Sequence, residues 1–148
     1  MTKNFTLSEF TRSATAQRLG IDNTPSATAV TNLRHLCEKL LQPLRDHLGC
    51  PVVISSGYRS SALNRAVGGV PRSQHMVGEA ADIRLPRIPG TKRVDLRLSR
   101  EWMAFIANTL PFDQLILEHN AEGAYWLHVS LRRDASRNRR KVFELEKK

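Results

Sequence analysis

The strongest constraint on the fold is a helical repeat followed at once by a strand-like run. Val30, Leu33, Cys37, Leu40, Leu44 and Leu48 recur at three- and four-residue intervals, the spacing of one helix face. Ser26 is a suitable N-cap and Gly49 a suitable stop, so a helix is predicted from Ser26 to about Leu48. Pro43 lies inside it, removes one ladder donor, and should kink it. Pro51-Val-Val-Ile-Ser55 then reads as a short buried strand. A chain that changes period this abruptly must pack a helix against a sheet.

The remaining segments extend that pattern. Thr6-Leu7-Ser8-Glu9 has the form of a capping box and predicts a short helix ending near Ser13. Residues 14–25, with Gly20, Asn23 and Pro25, read as a loop. A helix is expected from Ser60 to Val67 and a strand from Glu79 to Leu85. A long loop is expected over 86–98, then a helix capped by Ser99 that carries Trp102, Ile106 and Leu110. Phe112–Glu118 and Tyr125–Leu131 predict a hairpin whose five-residue loop is His119–Gly123. Helices and strands mix without regular βαβ alternation, so the expected class is α+β, a small antiparallel sheet with helices packed on it.

The chain has 148 residues, of which 41% are hydrophobic and 25% charged, which suits one globular domain. We expect that domain over 1–131, with a basic C-terminal tail over 132–148. No run approaches the ~20 apolar residues of a membrane span. The N-terminus has no apolar core behind Lys3, so synthesis in the cytoplasm without a signal peptide is expected. Cys37 and Cys50 make no disulfide framework, and Cys37 reads as a buried free thiol.

Net charge is +9, and its location matters more than its sum. Residues 84–100 hold six basic residues against one acid, and 132–148 hold eight against three. Nearly all the basicity therefore sits in a loop and a tail, a pattern that suits either attraction to a polyanion or a plain solvated surface. No nucleic-acid-binding motif accompanies it, so no specific nucleic-acid partner is expected.

Five histidines are present. His35 and His47 fall among charged helical neighbours and read as surface residues. His75 precedes the Glu79–Leu85 strand, and His128 lies in a strand with Trp126 and Ser130 on its own face. A lone strand histidine is commonly a hydrogen-bonded structural residue. Asp82 alters the balance, because a carboxylate in Ala80-Ala81-Asp82-Ile83 is costly to bury unpaired. Two imidazoles and one carboxylate form a catalytic zinc set with a fourth position left for water. Spacing alone leaves both readings open.

Ser73-Gln-His75-Met-Val-Gly78-Glu-Ala80-Ala-Asp82 matches S-x-H-x-x-G-x-A-x-D at every specified position. It resembles the signature of the D-alanyl-D-alanine carboxypeptidase-like zinc peptidases, a group with vancomycin-resistance dipeptidases, phage endolysin peptidases and the Hedgehog-like fold. Ser56-Gly57-Tyr58-Arg59-Ser60 resembles that family's S-G-[YF]-R-[ST] segment, and Trp126-Leu-His128 its W-x-H segment. The resemblance implies that His75, Asp82 and His128 bind Zn²⁺. It implies that Arg59 holds a substrate carboxylate or carbonyl oxygen, and that Ser73 is an outer or substrate-facing hydrogen-bond donor.

One position departs from the family pattern. Many members carry E-x-x-H before the last histidine, and here the first of those positions is Tyr125. Glu118 is the favoured general base, since the hairpin can return it beside residues 124–126, and Glu122 in the loop is the alternative. His119 reads as a loop residue. The implied activity is hydrolysis of peptidoglycan stem peptides by a monomeric zinc peptidase, a D,D-carboxypeptidase or an endopeptidase acting at the wall or periplasm after release. The basic loop and tail would hold it on the anionic envelope. The alternative is a catalytically inactive metal-binding module of the same fold that binds the cell wall.

Overall fold

The computed structural model describes residues 1–147. Among the described residues, six α-helices and five strands alternate irregularly, so the class is α+β as expected. Helix α1 (Leu7–Thr11) opens on the capping box, with Glu9 accepting from the Thr6 amide at 2.7 Å. Helix α2 (Ala14–Leu19) occupies part of the segment expected as loop. Ser13 caps it by accepting from the Ala16 amide, and Gly20 ends it at φ 67°. At six residues with one buried side chain, Ala16, it is too short to show a period.

The long helix forms in pieces. Helix α3 (Ala27–Leu36) and helix α4 (Gln42–Leu48) are joined by a π-helical turn over Cys37–Leu41. The Gln42 amide donates five residues back, to the Cys37 carbonyl. The predicted disruption at Pro43 is therefore a widened turn just before the proline, which then sits in the first turn of α4, where its missing N–H costs least. Leu33, Leu36, Cys37, Leu40, Leu41 and Leu44 are all fully buried, so the apolar repeat forms the core. Burial pushes the Cys37 thiol up to about 12.

Strands β1 (Ile54–Ser56), β2 (Ala80–Arg84), β3 (Gln114–Asn120), β4 (Tyr125–Ser130) and β5 (Lys141–Lys147) form one sheet in the order β1-β2-β4-β3-β5. All pairings are antiparallel except β3 with β5, which is parallel. Helix α5 (Ser61–Ala66) follows β1 within the expected span, with Ser60 as its N-cap. Helix α6 (Leu96–Thr109) begins one turn before the expected Ser99. Asp95 is its cap, accepting from the Leu98 amide, whereas the Ser99 hydroxyl is buried and donates back to the Asp95 carbonyl at 2.7 Å. In the hairpin β3 runs on to Asn120, so His119 is a strand residue paired with Tyr125.

The segment expected as a basic tail, in which only Val142–Leu145 could form a strand or dock, contains β5, whose seven residues pair in register with Gln114–Asn120 of β3; Lys148 lies outside the described residues. Arg140 turns the chain into this strand at φ 53°, in the left-handed region. Its guanidinium lies 4.4 Å from the Phe112 ring centre and donates to the Leu110 and Ala107 carbonyls, which offsets the local strain. The helix-facing side of the sheet packs Ile83, Leu115, Leu117, Leu127 and Val129 into the core. By strand alternation the opposite side presents Asp82, Ile116, Glu118 and His128.

Candidate metal centre

Three elements converge on that opposite side. His75 sits in a short 3-10 turn, Gln74–Val77, between α5 and β2. The Ser73 hydroxyl caps this turn by accepting from the His75 amide at 3.2 Å. Gly78 closes it at φ 77°, where a side chain would collide with the Ala29 carbonyl, so only glycine returns the chain to β2. Asp82 and His128 are direct register partners on β2 and β4.

His75, Asp82 and His128 are all buried, and one ligand-type atom from each lies within 4.8 Å of the others. Asp82 Oδ1 is 3.4 Å from His75 Nε2 and 3.1 Å from His128 Nδ1. Tetrahedral zinc with ligands at about 2.0–2.2 Å requires ligand atoms about 3.3–3.6 Å apart, close to these separations. The donor chemistry fits as well. His75 Nδ1 lies 2.7 Å from the Gly57 carbonyl, which can only accept, so Nδ1 carries the proton and Nε2 offers its lone pair. Burial alone would raise the Asp82 carboxyl, but the two imidazoles outweigh it and hold the group below the usual carboxylate range. The residues therefore fit a divalent cation.

The other predicted site residues divide. Arg59 reaches the centre: its guanidinium lies 3.5 Å from Asp82 Oδ2 and also contacts Ser56 and Asn64. Glu118 pairs with Trp126 across the hairpin, one alternation along β4 from His128, and is 6% exposed. Burial, aided by the Asp82 charge, raises its carboxyl above the ordinary value. Glu122 is exposed in the loop at the rim of the same cleft. Tyr125 faces the helical side, where His119 stacks on it at 5.1 Å, so neither contributes to the centre.

A second charged cluster centres on Asp113, which no sequence motif marks. Asp113 is fully buried just before β3. It accepts from Arg139 at 2.7 and 3.0 Å, from the Arg139 amide at 2.8 Å and from Gln74 at 3.0 Å, and Arg132 lies 3.4 Å away. These contacts tie the lead-in to β5 to the turn that carries His75. They draw the Asp113 carboxyl down to about 2 against the opposing effect of burial. Only the charge run at 132–140 hinted that these arginines had work to do.

An open cleft of about 790 Å³ contains the whole centre. Arg59, Ser73, His75, Asp82, Glu118 and His128 all line it, and its far wall is built from β5. No curated protein matches this chain. A family model described as Peptidase M15 matches residues 3–121, which takes in His75, Asp82 and Glu118 and stops short of β4 and β5. With that match over most of the chain, and a His-Asp-His cluster at the base of its cleft, the chain belongs to the peptidase M15 family.

Proposed function

We propose that the chain is a zinc peptidase that hydrolyses peptidoglycan stem peptides. The observation that carries this reading is one cleft holding three ligand-type side chains, a buried glutamate with a raised pKa and an arginine fork. His75, Asp82 and His128 hold the ion. When bound, zinc supplies Lewis acidity, lowering the pKa of a ligated water and polarising a carbonyl.

The chain's own groups do the rest. The Glu118 carboxylate accepts a proton from the attacking water and returns it to the leaving amine nitrogen. Its raised pKa suits both transfers, since an ordinary glutamate is a weak base and a poor store for the proton at neutral pH. Arg59 directs its planar donors at a substrate carboxylate or carbonyl oxygen. Ser73 uses its hydroxyl oxygen to cap the turn, which leaves its hydrogen to donate into the cleft. Position 125 faces away from the cleft, which supports a base from elsewhere in the chain, and Glu118 is the buried carboxylate on the cleft side of β3.

The exposed arginines and lysine of 84–100 would anchor the enzyme on an anionic wall. Binding to whole walls should then weaken with salt, because exposed charges are screened over about 8–10 Å at physiological ionic strength. The departure at Tyr125 favours one second reading, a metal-binding module that holds wall peptides without cutting them. Mass spectrometry of purified peptidoglycan after incubation with the zinc-loaded protein separates the two. New fragments support the peptidase, and bound but intact peptidoglycan supports the module.

A further inference from the structure

Cross-strand register lines up a row of side chains on the cleft side of the sheet: Asp82, His128, Ile116 and Phe143. The next row contains Trp126, Glu118 and Leu145. Phe143 and Leu145 therefore extend the surface that carries the metal centre, and both line the same cleft. They are 39% and 41% exposed on an edge strand that is otherwise mostly Lys and Glu. Charge on an edge strand protects it from unwanted pairing, and two large apolar side chains turned to the cleft work against that protection. Lys147 and Arg139 rim the strip. An apolar strip with a polar rim, continuous with a reactive centre, has the character of a binding surface.

We propose that Phe143 and Leu145 form a substrate subsite that selects an apolar side chain some residues from the cleaved bond. The inference rests on the peptidase reading. Neighbouring strands are about 4.8 Å apart, so Phe143 on β5 stands about 10 Å from His128 on β4. An extended peptide advances about 3.3–3.6 Å per residue, so one crossing the strands brings its second or third residue from the scissile bond over Phe143. Lys147 adds a positive charge beside the strip, whereas Arg139 is already paired with Asp113. The strip makes β5 part of the specificity machinery, so its residues act on which peptide is cut.

The test uses zinc-loaded full-length protein and short synthetic peptides with leucine or glycine two and three residues to either side of the cleaved bond. Wild type should prefer leucine at one of these positions. Phe143→Thr/Leu145→Thr should lower kcat/KM for the leucine peptide roughly tenfold and leave the glycine peptide within about twofold, as expected for loss of apolar contact. Phe143→Leu should retain most of the preference. Both residues are exposed, and melting temperature checks that the double variant folds. Cleavage with no leucine preference, or a preference untouched by the double variant, overturns the subsite and leaves the peptidase reading standing. If wild type cuts nothing, calorimetric binding of the same peptides decides. Leucine-selective binding lost in the double variant supports the subsite while the peptidase reading fails, and absence of selective binding overturns both. A dimer in sedimentation that the double variant converts to monomer would assign the strip to a second copy of the chain and overturn the subsite.

Discussion

Asp82 and His128 stand opposite each other on adjacent antiparallel strands, with His128 Nδ1 3.1 Å from Asp82 Oδ1. Two rigid strands hold two of the three ligand-type groups, and the third, His75, is fixed by the Gly57 carbonyl. Such a site is built before an ion arrives, so little ordering remains to be done on binding.

Metal affinity should follow this geometry. His75→Ala and His128→Ala should each weaken zinc binding by at least ~100-fold, the upper end of what loss of even an outer partner costs. Competition with a chelator of known affinity measures it. Near wild-type affinity in both variants would mean the ion binds elsewhere.

Glu118→Gln should keep metal content and melting temperature and lose activity by ~10²–10⁴-fold, the usual contribution of a general acid–base group. Glu122→Gln, altering an exposed loop residue, should stay within a few-fold. Steady-state peptide hydrolysis is the assay, and the reverse pattern would move the base into the loop.

The Gly57 backbone lies against Phe10, where an added Cβ would come within 2.6 Å of the Phe10 Cα and carbonyl oxygen. Gly57→Ala should therefore destabilise the fold by about 1–3 kcal/mol and shift the carbonyl that orients His75. Urea unfolding reads the first effect and zinc affinity the second. A variant with wild-type values for both would show that the two segments separate at little cost.

Asp113 gives stability a defined pH dependence. Its folded pKa, about 2, lies below the ordinary carboxylate value of 3.8. Its contribution is complete above about pH 4 and is lost as pH falls through about 2. With part of the Arg139 partner in solvent, the loss should be on the order of 1–2 kcal/mol. Unfolding by urea between pH 2 and 6 should show this slope in wild type and a shallower one in Asp113→Asn.

Removing residues 132–148 should unfold part of the sheet. The truncation strips β3 of its parallel partner and leaves Asp113 buried without Arg132 or Arg139. Loss of one partner from a buried ion pair alone costs about 3–5 kcal/mol. A clear drop in urea midpoint is expected, and an unchanged midpoint would show β5 to be dispensable.

The residues of the centre stood out by their chemistry, and the resemblance of Ser73–Asp82 to the S-x-H-x-x-G-x-A-x-D signature is what implied that they bind metal. An aspartate in an apolar strand and a histidine on the same face as Trp126 and Ser130 are conspicuous in one dimension, and the long helix declared itself by periodicity. The capping box at Thr6 and the turn at Gly78 are local as well, set by backbone geometry within a few residues. Helix α2 escaped because six residues hold too little period, and α6 began early because Asp95 competed for the cap. Strand β5 was legible only as the short run Val142–Leu145, able to form a strand or dock, with its partner and parallel direction unread. The charged residues of its Lys-Val-Phe-Glu-Leu-Glu-Lys look like a solvated run until β3 supplies a parallel edge more than twenty residues away in sequence. Burial of Asp113, and with it the use made of Arg139, arises only when Gln74 and the lead-in to β5 meet. Sequence by itself offered His75, Asp82 and His128 as a ligand set through the motif they sit in, since that depends on side-chain identity and local order. The tertiary structure decided which glutamate is buried beside them and what forms the far wall of the cleft, because both depend on strand register, which long-range pairing alone sets.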